Sequence, residues 1–93
     1  MERNEISLHE IKIYHALEKQ GTAWSTSKKL ASLSGIAERT ARAHLLKFVK
    51  LNIVDVAEVF PAHRYRLAEK ADKRNTAYMV RIKRASEVFG ETM

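Results

Sequence analysis

Only about three residues separate two stretches that each read as helix, and that gap constrains the fold more than any other feature. The first stretch is Lys28-Lys29-Leu30-Ala31-Ser32-Leu33, which Thr26 or Ser27 can cap and Ser34-Gly35 stops after about two turns. The second runs from about Glu38 to Leu51, with Ala41, Leu45 and Phe48 on one side at spacings of four and three. A link this short denies the helices a long antiparallel contact and makes them cross steeply around Ile36, which plugs the corner.

The flanking segments complete a mainly α chain with a small β-hairpin. Ser7-Leu8-His9-Glu10 is a reciprocal capping box, and Ile6 and Ile11 have the spacing of a hydrophobic staple. Leu8, Ile11, Tyr14 and Leu17 continue an apolar face until Gly21 ends this first helix. Thr22-Ala23-Trp24-Ser25 reads as a single short strand or an extended link. Past Asn52, the β-branched run Ile53–Phe60, then Pro61-Ala62, then His63–Leu67 read as a hairpin whose second arm turns Tyr65 and Leu67 one way and Arg64 and Arg66 the other. A last helix is expected from about Asp72, its cap, to Phe89, closed by Gly90, with Ala71, Asn75, Tyr78, Ile82, Ala85 and Phe89 forming one seam. The chain thus divides into a domain over residues 1–69 and a C-terminal helix over residues 70–93.

Composition narrows the function. A chain of 93 residues is one small domain, with little room for a deep catalytic cleft beside its core. With no cysteine, disulfide frameworks, thiolate zinc sites and cysteine nucleophiles are excluded, and a cytoplasmic location is the default. The charged start Met1-Glu2-Arg3-Asn4-Glu5 leads into no long apolar run, so neither a signal peptide nor a membrane span is expected. His9, His15, His44 and His63 are scattered without metal-ligand spacing. No glycine-rich phosphate loop, no Ser-His-Asp pattern in a supporting context and no effector pocket can be read from the sequence. The chain is therefore read as a binding module without cofactor, metal or enzymatic activity. Trp24, Tyr65 and Tyr78 are dispersed and read as core, which disfavours a stacking platform for single-stranded nucleic acid.

The net charge of +6 is unevenly placed. Residues 21–50 carry six basic groups against one acidic, and residues 70–93 six against three, while each remaining segment is net −1. The order helix, link, helix, tight turn, helix, hairpin is joined by Leu30-Ala31, Ser34-Gly35-Ile36, Arg39-Thr40-Ala41, His44-Leu45, Phe48, Ile53-Val54 and Tyr65-Arg66-Leu67. From about Leu8 to Leu67 the chain resembles the winged helix-turn-helix regulators of bacteria and archaea, in particular the arsenic-repressor-like and multiple-antibiotic-resistance-regulator-like groups. Asn52 stands where those groups usually have glycine, and asparagine tolerates the left-handed backbone such a position needs.

The third helix sorts its residues by its own geometry. With Ala41, Leu45 and Phe48 inward, Arg39, Arg42, Ala43 and Lys47 fall outward or on the flanks. Arginine can read guanine with paired donors, Ala43 lets the backbone approach, and Thr40 can bond a phosphate. Thr26, Ser27 and Lys28, at the start of the second helix, suit a phosphate as well. Glu38 favours the helix dipole or accepts from cytosine. Leu46 and Val49 lie off the core side and read as packing on a neighbouring helix, or else as a partner patch. The resemblance implies that His63 and Arg64 reach the DNA backbone or minor groove. It also implies sequence-specific double-stranded DNA binding by a transcriptional, plasmid or phage regulator, with a protein–protein adaptor in a transcription or replication assembly as the alternative. The seam of the last helix either packs on the first helix or joins a homodimer through Tyr78, Ile82, Ala85 and Phe89.

Overall fold

The computed structural model describes residues 6–92, the Asp72 side chain excepted, so Met1–Glu5 and the reading of that charged start lie outside the described residues. Its elements are α1 (Leu8–Gln20), β1 (Ser25–Thr26), α2 (Ser27–Ser34), α3 (Glu38–Lys50), β2 (Val54–Ala57), β3 (Arg64–Leu67), a 3-10 turn (Ala71–Lys73) and α4 (Thr76–Thr92).

Local chemistry fixes most of the boundaries. Ser7 Oγ accepts from the Glu10 N–H at 3.1 Å, and Glu10 Oε1 accepts from the Ser7 N–H at 3.0 Å, so two donors at the start of α1 are satisfied reciprocally. Thr26 caps α2 by accepting from the Lys29 N–H at 3.1 Å. Gly35 closes α2 in the left-handed conformation at φ 69°, and the Ile36 N–H returns to the Ala31 carbonyl at 3.1 Å, which fixes the corner. The buried face of α1 differs from the one read in the sequence. Ile13 and Ala16 join Tyr14 and Leu17 inside, whereas Leu8 is 54% exposed because it sits about 140° around the helix from Ile13.

The three strands form one antiparallel sheet in the order β1-β3-β2, with Ser25 opposite Tyr65 and Val54 opposite Leu67. The segment around Ser25 is therefore a strand, and it pairs with the free edge of the hairpin. The arms are shorter than the apolar run, since β2 stops at Ala57 and the Val59 N–H folds back to the Ala57 carbonyl at 3.0 Å. Asn52 turns the chain from α3 into β2 with φ 64°. Its carbonyl accepts from Arg74 Nη1 at 2.9 Å, and the Asn75 side-chain amide donates to the Leu51 carbonyl.

That last contact explains why the final helix starts later than its pattern suggests. Asn75, at φ 47°, breaks the backbone between the 3-10 turn and α4, so the helix begins at Thr76 and Asp72 is not its cap. Nor does Gly90 close it, for α4 continues to Thr92. A Cβ at Gly90 would lie 3.1 Å from His15 Cε1, so this glycine permits a close approach between α4 and α1. The seam is turned onto α1 of the same chain. Ile82 is fully buried, Tyr78 and Ala85 are half-buried, and the Phe89 ring meets the His15 ring edge-on at 5.4 Å. One core results, in which Ile13, Tyr14, Leu17, Leu30, Leu45, Phe48, Ile53, Met79 and Ile82 are at most 2% exposed. Each such large side chain contributes about 1.5–3 kcal/mol by leaving water. No helix among the described residues is long and apolar enough to cross a membrane.

Candidate nucleic-acid interface

Burial of Ala41, Leu45 and Phe48 leaves Arg39, Arg42, Ala43, Leu46 and Lys50 of α3 exposed, with Thr40 half-buried. Ala37, the residue before α3, supplies no side-chain cap. The first turn is organised instead by Glu38, whose Oε2 accepts from Arg42 Nη1 at 3.0 Å and from Ser27 Oγ at 3.1 Å. One carboxylate oxygen thus ties the start of α2 to the start of α3 and lays Arg42 along the helix. Arg42 remains 57% exposed, with further guanidinium donors to offer. Ser27 is 8% exposed, and its hydroxyl is turned to Glu38.

Lys47 takes one of the flanks of α3. Its Nζ lies 2.6 Å from Glu10 Oε2 and 5.5 Å above the Tyr78 ring, on the flank of α3 turned toward α1 and α4. Glu10 is 3% exposed, yet it accepts from Ser7 and from Tyr78 Oη at 3.0 Å. Burial pushes its carboxyl upward, but Lys47 and the two hydrogen-bond donors outweigh that and hold it below the ordinary range. The Tyr78 hydroxyl is pushed far up, first by burial and then by the charge of Glu10. His44 lies alongside, its ring 6.1 Å from that of His9. Burial lowers the His44 pKa, Glu10 opposes that, and His9 and Lys47 add to it, so the imidazole is neutral at pH 7.

Around this face, Lys28 and Lys29 are exposed at the start of α2, and Thr26 is half-buried with its hydroxyl accepting as a cap. On the hairpin, His63 and Arg64 are exposed. Tyr65 is buried at 9% exposure, and its hydroxyl is shifted upward by burial, with Arg42 lowering it and Glu58 raising it. Trp24 is not core. It is 38% exposed on the outer face of the sheet, where Arg66 stacks over it at 4.3 Å and reaches Asp55 at 3.7 Å. The antiparallel register that sets Ser25 against Tyr65 brings Trp24 beside Arg66.

Two further clusters lie away from this face. Ser86 Oγ donates to Glu18 Oε1 at 2.8 Å and lies 3.1 Å from His15 Nδ1. The serine sits between carboxylate and imidazole and is 1% exposed, whereas nucleophilic catalysis needs the imidazole between the other two and an accessible hydroxyl. A cavity of about 290 Å3 between α1, α2 and the end of α4 is lined in part by Lys12, His15, Lys19, Leu33 and Phe89. No group of three His, Cys, Asp or Glu side chains placed to hold a metal occurs among the described residues.

No protein-family profile matches the chain, and no curated protein matches it by sequence. Solved structures match it by shape. The AntR antimony-specific transcriptional repressor superposes with TM-score 0.63 and 16% identity, over 88% of this chain and 67% of its own. A protein of the thermoacidophilic archaeon Sulfolobus tokodaii gives 0.65 and 16%, over 94% and 86%. ZitR of Lactococcus lactis, a zinc-responsive MarR family member solved in complex with DNA, gives 0.58 and 15%, over 98% and 64%. The fold is a winged helix-turn-helix.

In this winged helix, α2 and α3 are the helix-turn-helix and β2–β3 the wing. Arg39, Arg42 and Ala43 stand on the exposed side of α3, Lys28 at the start of α2, and His63 and Arg64 on the wing. The structure adds Leu46 and Lys50 to that side of α3. Leu46 is 54% exposed and is not packed on a neighbouring helix, whereas Val49 does pack against the core. Stepping three and then seven residues from Ala43, close to one and two helical turns, reaches both, so the helical period already held the signal.

Proposed function

We propose that this chain binds double-stranded DNA in a sequence-specific way and acts as a transcriptional, plasmid or phage regulator. The reading is carried by one observation: the solvent side of α3 gathers Arg39, Arg42 and Lys50 around small Ala43, with His63 and Arg64 exposed on the wing. The structural likeness to ZitR, solved with DNA, and to the repressor AntR supports it. In this reading α3 enters the major groove, Arg39 and Arg42 meet base edges, Leu46 meets thymine methyl groups, and Thr26, Lys28, Thr40, His63 and Arg64 hold phosphates. Reading two half-sites a helical turn apart needs a second copy. The solvent side of α4, where Val80 and Val88 are 60% and 55% exposed, is the surface left for one.

The test is a titration of labelled mixed-sequence duplex, followed by anisotropy at low and near-physiological salt, and then selection of a preferred site. Arg39→Ala and Arg42→Ala each weaken binding to the selected site by about 1–3 kcal/mol, whereas Lys28→Ala weakens all sequences alike and lowers the salt slope by about 1. Absence of binding at low salt refutes the reading. The adaptor alternative draws on exposed Leu46, and it predicts sequence-indifferent binding that vanishes at physiological salt.

A further inference from the structure

The wing ends in apolar side chains that the fold does not use. Between Ala57 and Arg64 the tip runs Glu58-Val59-Phe60-Pro61-Ala62-His63, every residue of it exposed, with Phe60 at 97% and Val59 at 46%. The other Phe and Tyr residues, Tyr14, Phe48, Tyr65, Tyr78 and Phe89, are buried or half-buried. The tip is carried on a braced base: β3 is paired on both edges, and the Ala68 N–H closes onto the Ile53 carbonyl at 2.9 Å. Arg64 gives the tip's second arm a positive charge beside the polar ring of His63, and Glu58 is the tip's single carboxylate. Val59-Phe60-Pro61 is thus an exposed apolar point at the end of the β2–β3 hairpin, with the Arg64 guanidinium on its second arm.

We propose that Phe60, flanked by Val59 and Pro61, is a wedge that enters the minor groove next to the major groove occupied by α3 and inserts between two base pairs at a flexible pyrimidine–purine step. This rests on the DNA reading above and adds a deformation to it. Apolar side chains that part a base step kink the duplex toward the major groove, and steps such as TpA open most easily. An aromatic ring recovers stacking on the base face it uncovers, which alanine cannot do. His63 and Arg64 then hold phosphates beside the opened step, and Glu58 stays on the solvent side. The consequence is a preference for sites with a TpA or CpA step under the wing, at a position where the protein makes no base-edge hydrogen bond.

The experiment uses the full chain and a duplex of about 20 alternating T·A pairs, long enough for the roughly two helical turns of paired half-sites, with 2-aminopurine replacing adenine at several TpA steps. Anisotropy reports binding and 2-aminopurine emission reports unstacking. The unaltered protein raises the emission at saturation by about twofold or more as steps open. Phe60→Ala keeps its fold and its salt slope and binds within about tenfold of the unaltered protein, but leaves the emission near that of free duplex. Phe60→Trp restores the rise. If the unaltered protein binds without raising the emission, or Phe60→Ala binds and raises it equally, the wedge is overturned while the DNA reading stands. Absence of binding to this duplex and to mixed-sequence duplex overturns both.

Discussion

Replacing Lys47 with alanine removes the cation around which a buried carboxylate is organised. Glu10 is 3% exposed, and its Oε2 lies 2.6 Å from Lys47 Nζ. Removing one partner of a fully buried ion pair costs about 3–5 kcal/mol. Here the Lys47 side chain is 46% exposed, and Glu10 keeps the Ser7 N–H and the Tyr78 hydroxyl. The expected loss is therefore about 2 kcal/mol at pH 7. In a domain of this size that lowers the Tm by about 10 °C. The pH dependence has a definite sign. In the unaltered protein the Glu10 carboxyl lies below its ordinary value of 4.5, so its stabilising contribution is present above that value and is lost as pH falls through the folded one. Without Lys47 the largest influence holding the carboxyl down is gone and it moves upward, so the variant loses less stability than the unaltered protein as pH falls. The difference between the two proteins, taken from urea melts followed by circular dichroism, is thus greatest at pH 7 and shrinks toward about pH 4. Adding Glu10→Gln to the variant returns part of the loss at pH 7, because glutamine keeps the capping box and carries no charge. A loss below about 0.5 kcal/mol that does not vary with pH would show that the pair behaves like an exposed one and refute the reasoning.

Other variants test other joints of the fold. Ile82→Ala, at a fully buried position where α4 meets α1, is expected to cost about 3 kcal/mol in urea melts, and an unchanged midpoint would deny that α4 belongs to the core. Asn52→Ala forces a Cβ-bearing residue without a compensating side chain into φ 64° and should cost about 1 kcal/mol, while Asn52→Gly should be near neutral. Equal melting of the two variants would remove backbone conformation as the reason for asparagine there.

What could be read in the sequence follows the range of the interactions. The capping box at Ser7 and Glu10, the glycine at position 35 and the asparagine at position 52 act within a few residues, and each does in the structure what its pattern announces. Arg42 and Lys47 are alike in sequence terms, both flanking the inward side of α3. Only the placement of α1 decides that Lys47 faces a buried carboxylate while Arg42 stays in solvent. Ser27 and Glu38 show the same limit, for their bond joins two helices across the corner. The start of α4 depends on Asn75 reaching back to Leu51, and the use of Gly90 depends on His15, contacts too distant along the chain for any local pattern to carry.

Because β3 pairs with β2 along its length and with β1 at Arg64 and Tyr65, and β1 runs without a break into α2, the base of the wing is tied directly to the helix-turn-helix. The gap between the exposed side of α3 and the base of the wing is held by that sheet as by the frame of a caliper. For a DNA partner the adjustment then falls to the duplex. Two sites offering identical base edges but different stiffness are told apart by the work of fitting them to that gap, before any side chain distinguishes one base from another.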